Sequence, residues 1–279
     1  MEGLQVKRTP TRIILWVVLV VTVLLYAFPF LYMLLTSFKA PLETIAVPPR
    51  ILPSHWTIEN YTTALSREGV LASFVNGAMT AVLSTAVSLV LAVPAAYAVT
   101  RFRTRYGRIF IVLALVMRMV PPIAVGVPMV QIFQSIGLYD TTFALALAHV
   151  TISLPLSVWL MSSFFKSVPV ELEEAAKIDG CTHWGVFLRI ILPLSLPSVS
   201  AISLVAFVTG WGDYLFASTM LKRAALWTLP MGLTSFRGEF FIQWAEIMAM
   251  STIVTVPIVA LFIYLQRYLV DLMAGGVKG

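Results

Sequence analysis

The sequence predicts an all-α membrane protein with six transmembrane helices. Hydrophobic residues make up 59% of the 279-residue chain and charged residues only 11%. A soluble domain is typically about half apolar and about a quarter charged, so this composition excludes an ordinary soluble fold and a disordered chain. The mean hydropathy of +0.91 agrees. The third observation is six apolar stretches, each long enough as a helix to cross a bilayer core of roughly 30 Å.

The six predicted spans carry few charges and are joined by short connections. The second is longer than a perpendicular crossing needs, which permits a tilted helix. Several contain proline, which kinks a helix and indicates either ordinary helix shape or a kinked bundle around a pathway. The predicted spans are Ile13–Leu35, Leu71–Val99, Ile109–Phe133, Thr142–Phe165, Ile190–Phe216 and Ala245–Gln266.

The apolar stretch nearest the N-terminus is predicted to be an uncleaved first helix. Lys7, Arg8 and Arg12 precede it, as basic residues also precede the apolar core of a signal peptide. The stretch is longer than such a core, and no small-x-small cleavage site follows it.

Basic residues predict the orientation. Twelve lie in one set of connections and six in the opposite set, and cytoplasmic loops carry the excess of Lys and Arg. Both termini, residues 1–12 and 267–279, are therefore predicted to be cytoplasmic. The Arg101–Arg108 cluster is predicted to set topology and contact lipid headgroups. The twelve are Lys7, Arg8, Arg12, Arg101, Arg103, Arg105, Arg108, Lys166, Lys177, Arg189, Arg267 and Lys278.

The sequence offers no catalytic, metal or nucleotide site. Cys181 is the single cysteine, so no intramolecular disulfide can form. The three histidines lack metal-ligand spacing, and the chain has no G-x-x-x-x-G-K-[ST], H-E-x-x-H or G-x-S-x-G motif. We therefore expect no enzyme activity and no cofactor in this chain. The topology explains the basic pI of 9.6, so no nucleic-acid partner is expected.

The connection of residues 166–189 carries the most informative motif. It reads Glu174-Ala175-Ala176, three residues, Gly180, nine residues, then Ile190-Ile191-Leu192-Pro193. This resembles the EAA motif of ABC importer permeases at every fixed position. Asp179, Phe187 and Pro197 also match the carbohydrate subgroup, whereas Cys181 departs from its usual alanine.

The spacing has a physical basis. Glu171–Asp179 is predicted to form a short helix with acidic residues at its start and Gly180 as its stop. Small alanines would let another protein approach closely. The resemblance implies that this helix is a coupling helix, which docks on a separate ATP-binding subunit. The implied coupling residues are Glu174, Ala175, Ala176, Asp179, Gly180, Phe187, Ile190 and Pro193.

The resemblance extends over most of the chain. Thr36-Ser37-Phe38-Lys39, Gly137–Thr141 and Thr228–Leu233 fit stretches of MalG-like permeases of carbohydrate-uptake ABC transporters. Trp211-Gly212-Asp213-Tyr214 also fits, with Gly212 in place of Asn. The implied fold is that of MetI-like, type I importer permeases, with residues 13–266 as the transmembrane domain.

The resemblance also implies partners. They are a second, MalF-like permease in a heterodimer, two ATP-binding subunits that bind ATP and magnesium, an extracytoplasmic solute-binding protein and the lipid of a bacterial-type cytoplasmic membrane. The implied activity is import of a sugar or sugar-like solute by alternating access. A glycerol-3-phosphate-type solute is an alternative. A stand-alone secondary transporter should show internal repeats and intramembrane ionisable pairs, which this sequence lacks.

Four residues are candidates for the pathway or a partner interface. Arg118 lies about ten residues into the third span, where a charge indicates either a functional site or a structural pair. Trp211 could stack on a sugar, although aromatic residues near helix ends commonly anchor the membrane interface. Asp213 and Tyr214 lie near the same predicted helix end.

Overall fold

A computed structural model of the chain describes residues 9–102, 105–238 and 241–275. Within these ranges the chain is helical, and its only β-structure is an isolated bridge between Arg237 and Ile242. In chain order the helices are α1 (Thr9–Ser37), α2 (Glu59–Ser66), α3 (Val70–Arg101), α4 (Arg105–Met117), α5 (Pro122–Ser135), α6 (Thr142–Ser167), α7 (Glu171–Ile178), α8 (His183–Val186), α9 (Leu192–Leu194), α10 (Leu196–Trp211), α11 (Leu215–Met220), α12 (Leu229–Gly232) and α13 (Trp244–Gly275).

The helices long and apolar enough to cross a membrane confirm the predicted class. Four are continuous, and two further spans consist of bent helix pairs, which gives six among the described residues when each pair is one span. The continuous ones are Arg12–Ser37, Val70–Arg101, Thr142–Ser167 and Trp244–Gln266. They lie within three residues of the predicted boundaries.

The third predicted span is interrupted. Its two helices, Ile109–Met117 and Pro122–Ser135, are bent by 99°. Neither Pro121 nor Pro122 has a backbone donor, and a proline also drives the residue before it out of the helical region. Pro121 accordingly has ψ 130°. The sequence predicts one span with proline kinks here, and the structure shows a break between two helices instead of a kink.

The fifth predicted span also differs from its expected form. Helical structure begins at His183, bends by 75° before Leu196 and ends at Trp211 instead of Phe216. Pro193 and Pro197 stand on either side of the bend and each lacks a hydrogen-bond donor. Residues Gly212–Tyr214 then separate α10 from α11.

The chain divides into two compact units. The first comprises Met1–Arg67 and Phe236–Thr255. In it, Lys39 is buried, and its Nζ donates to the carbonyl of Arg50 at 2.7 Å and to Oγ1 of Thr36 at 3.2 Å. Asn60 donates to the carbonyls of Ser37 and Lys39, both at 2.8 Å. These bonds tie α2 to the end of α1.

The second unit comprises Glu68–Ser235 and Val256–Gly279, and its centre is the packing of α3, α6 and α10. Small residues let these helices approach closely, as is common in membranes. Ser88 of α3 and Ser153 of α6 share a buried hydrogen bond of 2.7 Å. A Cβ added at Gly210 of α10 would lie 2.7 Å from Oγ of Ser84 and 3.0 Å from Cα of Ala81.

Candidate functional site

The EAA segment forms the helix that the sequence predicted. α7 spans Glu171–Ile178 and has three acidic residues in its first turn. Gly180 has φ +85°, and its N–H donates to the carbonyl of Lys177 at 3.0 Å. The N–H of Cys181 donates to the carbonyl of Ala176 at 2.9 Å. This pair of bonds is a Schellman motif, so Gly180 ends the helix by adopting the left-handed conformation.

One face of α7 is fastened to the end of α3 by a buried cluster. The side chain of Glu173 is 3% exposed and accepts hydrogen bonds from the hydroxyl of Tyr97, at 2.8 Å, and from Nε of Arg101. Nη2 of Arg101 donates to the carbonyl of Val168 at 3.0 Å, in the connection before α7. Both charges are therefore paired and hydrogen-bonded, as burial requires.

Ala176 lies on the same buried face as Glu173. It is 6% exposed and belongs to the apolar core that contains Tyr97, Phe165 and Phe187. The expectation that another protein approaches both alanines is therefore wrong for Ala176; Ala175 is exposed, and the approach of a partner to it stays a prediction. Ala176 is small because the chain's own core approaches it.

The opposite face of α7 is exposed. Glu171, Glu174, Ala175 and Ile178 are all exposed, and Ile178 keeps 87% of its surface accessible. Glu171, Ala175 and Ile178 follow at spacings of four and three residues, so they form one stripe along the helix. Asp179 follows this stripe and is also exposed.

The residues of the EAA motif that follow Gly180 lead the chain from the loop back to the packed helices. Phe187 is buried, and its ring centroid lies 4.9 Å from that of Tyr97, so it anchors the loop. Phe187–Ile191 forms a π-helical turn just before Pro193. Ile190 is half-buried and Pro193 is exposed. Glu173, Ala176 and Phe187 thus meet in one core, whereas Glu174, Ala175, Asp179 and Gly180 remain outside it.

The structure places Arg118 in the break between α4 and α5. Its side chain is exposed, and its N–H bonds to the carbonyl of Leu115 at 3.2 Å. No acidic partner lies within ion-pair distance among the residues that the structure describes. The break explains how an arginine fits halfway along a predicted span. A function for Arg118 stays a prediction.

Two of the remaining pathway candidates have partners inside the chain. Trp211 is buried, with its ring edge-on to Phe74 and stacked on Phe207. Asp213 accepts hydrogen bonds from the N–H groups of Phe216 and Ala217, and its Oδ2 lies 3.1 Å from Nε2 of His149. Tyr214 is half exposed and is the most accessible of the three. A role toward a solute stays a prediction for each.

Sequence reasoning missed the importance of Glu173 and Arg101. It placed Glu173 with the acidic residues of the helix start and Arg101 with the headgroup-contacting cluster, whereas Arg101 is bound to Glu173. Arg103 and the side chains of Arg105 and Arg108 lie outside the described residues. Glu173 and Ala176 are buried while Glu174 and Ala175 between them are exposed, a difference that the structure shows and the four residue types do not.

Comparison with known proteins agrees with this architecture. The family model for the "binding-protein-dependent transport system inner membrane component" matches residues 88–275. The chain is 35% identical to the inner membrane ABC transporter permease protein YcjP of Escherichia coli, over 98% of this chain and 99% of that protein. It is also 35% identical to the sulfoquinovosyl glycerol transport system permease protein SmoH of Agrobacterium fabrum, over 90% of this chain and 89% of that protein.

The fold is also found in a solved structure. It matches a chain of a bacterial ABC transporter involved in the import of the acidic polysaccharide alginate, with a TM-score of 0.80 and 20% identity, over 96% of this chain and 99% of that chain. The fold class agrees with the family model, whose description is that of a membrane transport component. The chain therefore belongs to the family of binding-protein-dependent transport system inner membrane components, the permeases of ABC transporters.

Proposed function

We propose that this chain is the permease subunit of an ATP-driven importer for a sugar or sugar-like solute, and that α7 docks on a separate ATP-binding subunit. The observation that carries the proposal is that α7 has one face buried against the chain and the opposite face exposed. One face is held to α3 by Glu173, and the opposite face presents Ala175 and Ile178 to the surroundings. A helix that is fixed on one side and open on the other can pass a partner's movement into the bundle.

The chemistry of the open face supports a protein partner. Ile178 is apolar and 87% exposed on α7, which is not one of the helices long enough to cross a membrane. Leu172 of α7 and Trp184 of α8 are also exposed, at 45% and 62%. Glu171, Glu174 and Asp179 provide charges around this surface, in the manner of a polar rim on a protein interface.

The proposed mechanism is alternating access with both termini in the cytoplasm. ATP binding would bring two ATP-binding subunits together, and α7 would move with the subunit it contacts. The movement reaches α3 through the bonds from Tyr97 and Arg101 to Glu173, and then α6 and α10 by packing. ATP and the loaded solute-binding protein must bind the outward-facing state more tightly than the inward-facing state, or the equilibrium does not shift.

The proposed solute class and second permease rest on the relatives. SmoH is named for sulfoquinovosyl glycerol, and the solved structure belongs to an alginate importer. Both names include a sugar component, and the motif flanks match the carbohydrate subgroup. A MalF-like permease would complete the membrane portion, because the sequence resembles the MalG-type half of a carbohydrate-uptake importer.

Transport by the reconstituted complex tests the proposal. The complex is purified, placed in proteoliposomes and assayed for ATP hydrolysis and for uptake of the sugar that its solute-binding protein retains. Ile178→Glu should abolish uptake and release the ATP-binding subunit, because a buried carboxylate opposes docking. Lys177→Gln is the matched control, since Lys177 is exposed but lies beside the buried face of α7. Normal uptake by Ile178→Glu would overturn the proposal.

A further inference from the structure

His149 and Asp213 form a buried polar pair between α6 and the segment that separates α10 from α11. Nε2 of His149 lies 3.1 Å from Oδ2 of Asp213, and the side chain of His149 is 1% exposed. An ionised carboxylate only accepts hydrogen bonds, so Nε2 carries the proton and donates. Asp213 also accepts from the N–H groups of Phe216 and Ala217 in the first turn of α11. The pair therefore links α6 to the start of α11.

The surroundings of His149 fix its ring and supply no substitute for it. Nδ1 is buried without a hydrogen-bond partner among the described residues, and it faces Gly210, where an added Cβ would lie 3.3 Å away. The only charged residues of α3, α6, α10 and α11 besides the histidine are Arg101 and Lys166, at the ends of α3 and α6 next to α7. No cation of these four helices can therefore replace His149 beside Asp213.

The pair lies within the depth of the bilayer. α6 has 26 residues and is about 39 Å long, so it exceeds a hydrocarbon core of roughly 30 Å by about 9 Å. His149 is seven residues, or about 10 Å, from the first residue of α6, which places it inside the core. α11 then leads back outward, because the carbonyl of Thr219 near its end accepts from the hydroxyl of Tyr139, which precedes α6.

The segment Gly212–Tyr214 is non-helical at the depth of this pair. Gly212 and Tyr214 are exposed on the chain, and the side chain of Asp213 is 12% exposed. Irregular backbone within a membrane is tolerated only where protein buries it or where it lines a water-filled cavity, and intramembrane carboxylates follow the same rule. Lipid therefore does not cover this segment.

We propose that His149 is a positioning residue of the solute pathway, whose existence rests on the proposed function. By donating to Asp213, His149 holds the Gly212–Tyr214 segment so that Tyr214 faces the water-filled space through which the solute passes. The hydroxyl of Tyr214 both donates and accepts hydrogen bonds, which suits the hydroxyl groups of a sugar. Removal of the His149 donor leaves the largely buried carboxylate without one partner, so the segment shifts to recover it.

Thiol labelling of the assembled complex in nanodiscs tests the position of the segment. In a Cys181→Ser background, Tyr214→Cys is treated with a water-soluble maleimide that does not enter lipid. We expect it to react, and to react about tenfold more slowly with His149→Leu, as expected for a lost hydrogen bond to a charged group. His149→Gln, whose amide still donates to Asp213, should restore the rate. A Tyr214→Cys variant that does not react would place the segment against the partner permease and overturn the proposal.

Two controls separate positioning from a general loss of structure. Ser153→Ala removes the buried bond to Ser88 one turn along α6 and should leave the labelling rate of Tyr214→Cys unchanged. Ser135→Cys, exposed at the end of α5, should label at the same rate with and without His149→Leu. Slower labelling at both cysteines, or the same slowing by Ser153→Ala, would show that His149 has a structural role only.

Uptake into proteoliposomes tests the consequence for transport, with the sugar that the solute-binding protein retains. His149→Leu should lower maximal uptake, and His149→Gln should restore it. In an Asp213→Ala background, His149→Leu should add little, because residues that act through one contact are not additive. Normal uptake by His149→Leu, or fully additive losses, would overturn the proposal. Co-purification of the ATP-binding subunit is scored separately and the labelling rates do not depend on it, so failure of the proposed function remains distinguishable.

Discussion

Glu173 and Arg101 form an ion pair that is buried between α7 and the end of α3. The hydroxyl of Tyr97 and the carbonyl of Val168 complete the hydrogen bonds of the two charges. An ion pair removed from water is favourable only when its geometry and additional hydrogen bonds are good. Here both conditions hold, so the EAA helix and α3 are expected to move as one body.

The ion pair predicts non-additive losses of stability. Removal of one partner from a buried pair leaves an uncompensated charge and typically costs about 3–5 kcal/mol. Glu173→Leu and Arg101→Leu should each lower the thermal unfolding midpoint of the purified protein, and the double variant should lose much less than their sum. Glu171→Gln, on the exposed face, should change little. Additive losses would show that the two side chains do not interact.

Substitution of Gly180 is predicted to be disfavoured by the backbone conformation and not by contact with neighbouring atoms. A Cβ at this position would meet nothing within 4 Å, but φ is +85°. A β-branched side chain disfavours this backbone conformation, whereas Asn adopts it more readily. Gly180→Val should therefore reduce uptake per ATP hydrolysed far more than Gly180→Asn in proteoliposomes. Equal uptake by the two variants would show that the left-handed stop is unimportant for coupling.

Gly210 predicts a packing requirement. Besides Ser84 and Ala81, an added Cβ would lie 3.3 Å from Nδ1 of His149, so Gly210→Ala must separate α10 from α3 and α6. Overpacking of this kind typically costs about 1–3 kcal/mol. Gly77→Ala is the control, because its added Cβ has its nearest neighbour at 3.5 Å. Thermal unfolding should show a lower midpoint for Gly210→Ala alone, and equal midpoints would contradict this packing.

Asp140 predicts a loss of stability in acid. It accepts hydrogen bonds from the N–H of Lys222 at 2.8 Å and from Nε of Arg223 at 2.7 Å. Burial alone would raise the pKa of the Asp140 carboxyl, but these bonds and a second backbone donor outweigh it and lower the pKa below its ordinary value of 3.8. Because the folded-state pKa is lowered, the stabilisation is present above 3.8 and disappears as the pH falls through the folded-state value.

The comparison is between wild type and Asp140→Asn. Asn tolerates the φ of 58° at this position but cannot ionise. Arg223 is largely exposed, so the expected stability difference at neutral pH is about 1 kcal/mol or less. The difference should shrink as the pH is lowered below 4 and should be constant between pH 6 and 8. A stability difference that grows in acid would contradict a lowered pKa of Asp140 in the folded state.

Much of the fold follows from the sequence, because a helix that crosses the lipid bilayer must be both long and apolar. Length and apolarity located the continuous spans, such as Val70–Arg101 and Thr142–Ser167, within three residues. The breaks at Pro121-Pro122 and between Pro193 and Pro197 did not follow, because a proline within a membrane helix can produce a kink or a full interruption. Neighbouring helices decide between the two, and a sequence does not show its neighbours.

The candidate site followed from the sequence only in part. The spacing of Glu174 and Gly180 gave the helix and its stop. Which side of the helix faced the chain's own core depended on Tyr97 and Arg101, which lie more than 70 residues earlier. Such long-range pairing has no local periodicity, so Glu173 could not be separated from the neighbouring acids.

Cysteine crosslinking between α7 and its partner tests the central claim most directly. Cys181 is the single cysteine, so a Cys181→Ser background allows Ile178→Cys and Ala176→Cys to be compared in the assembled complex. We predict that Ile178→Cys, at an 87% exposed position of α7, crosslinks to an ATP-binding subunit and that the buried Ala176→Cys does not. A complex that transports normally but gives no crosslink from Ile178→Cys, or gives one only from Ala176→Cys, would contradict the docking of α7 through its open face.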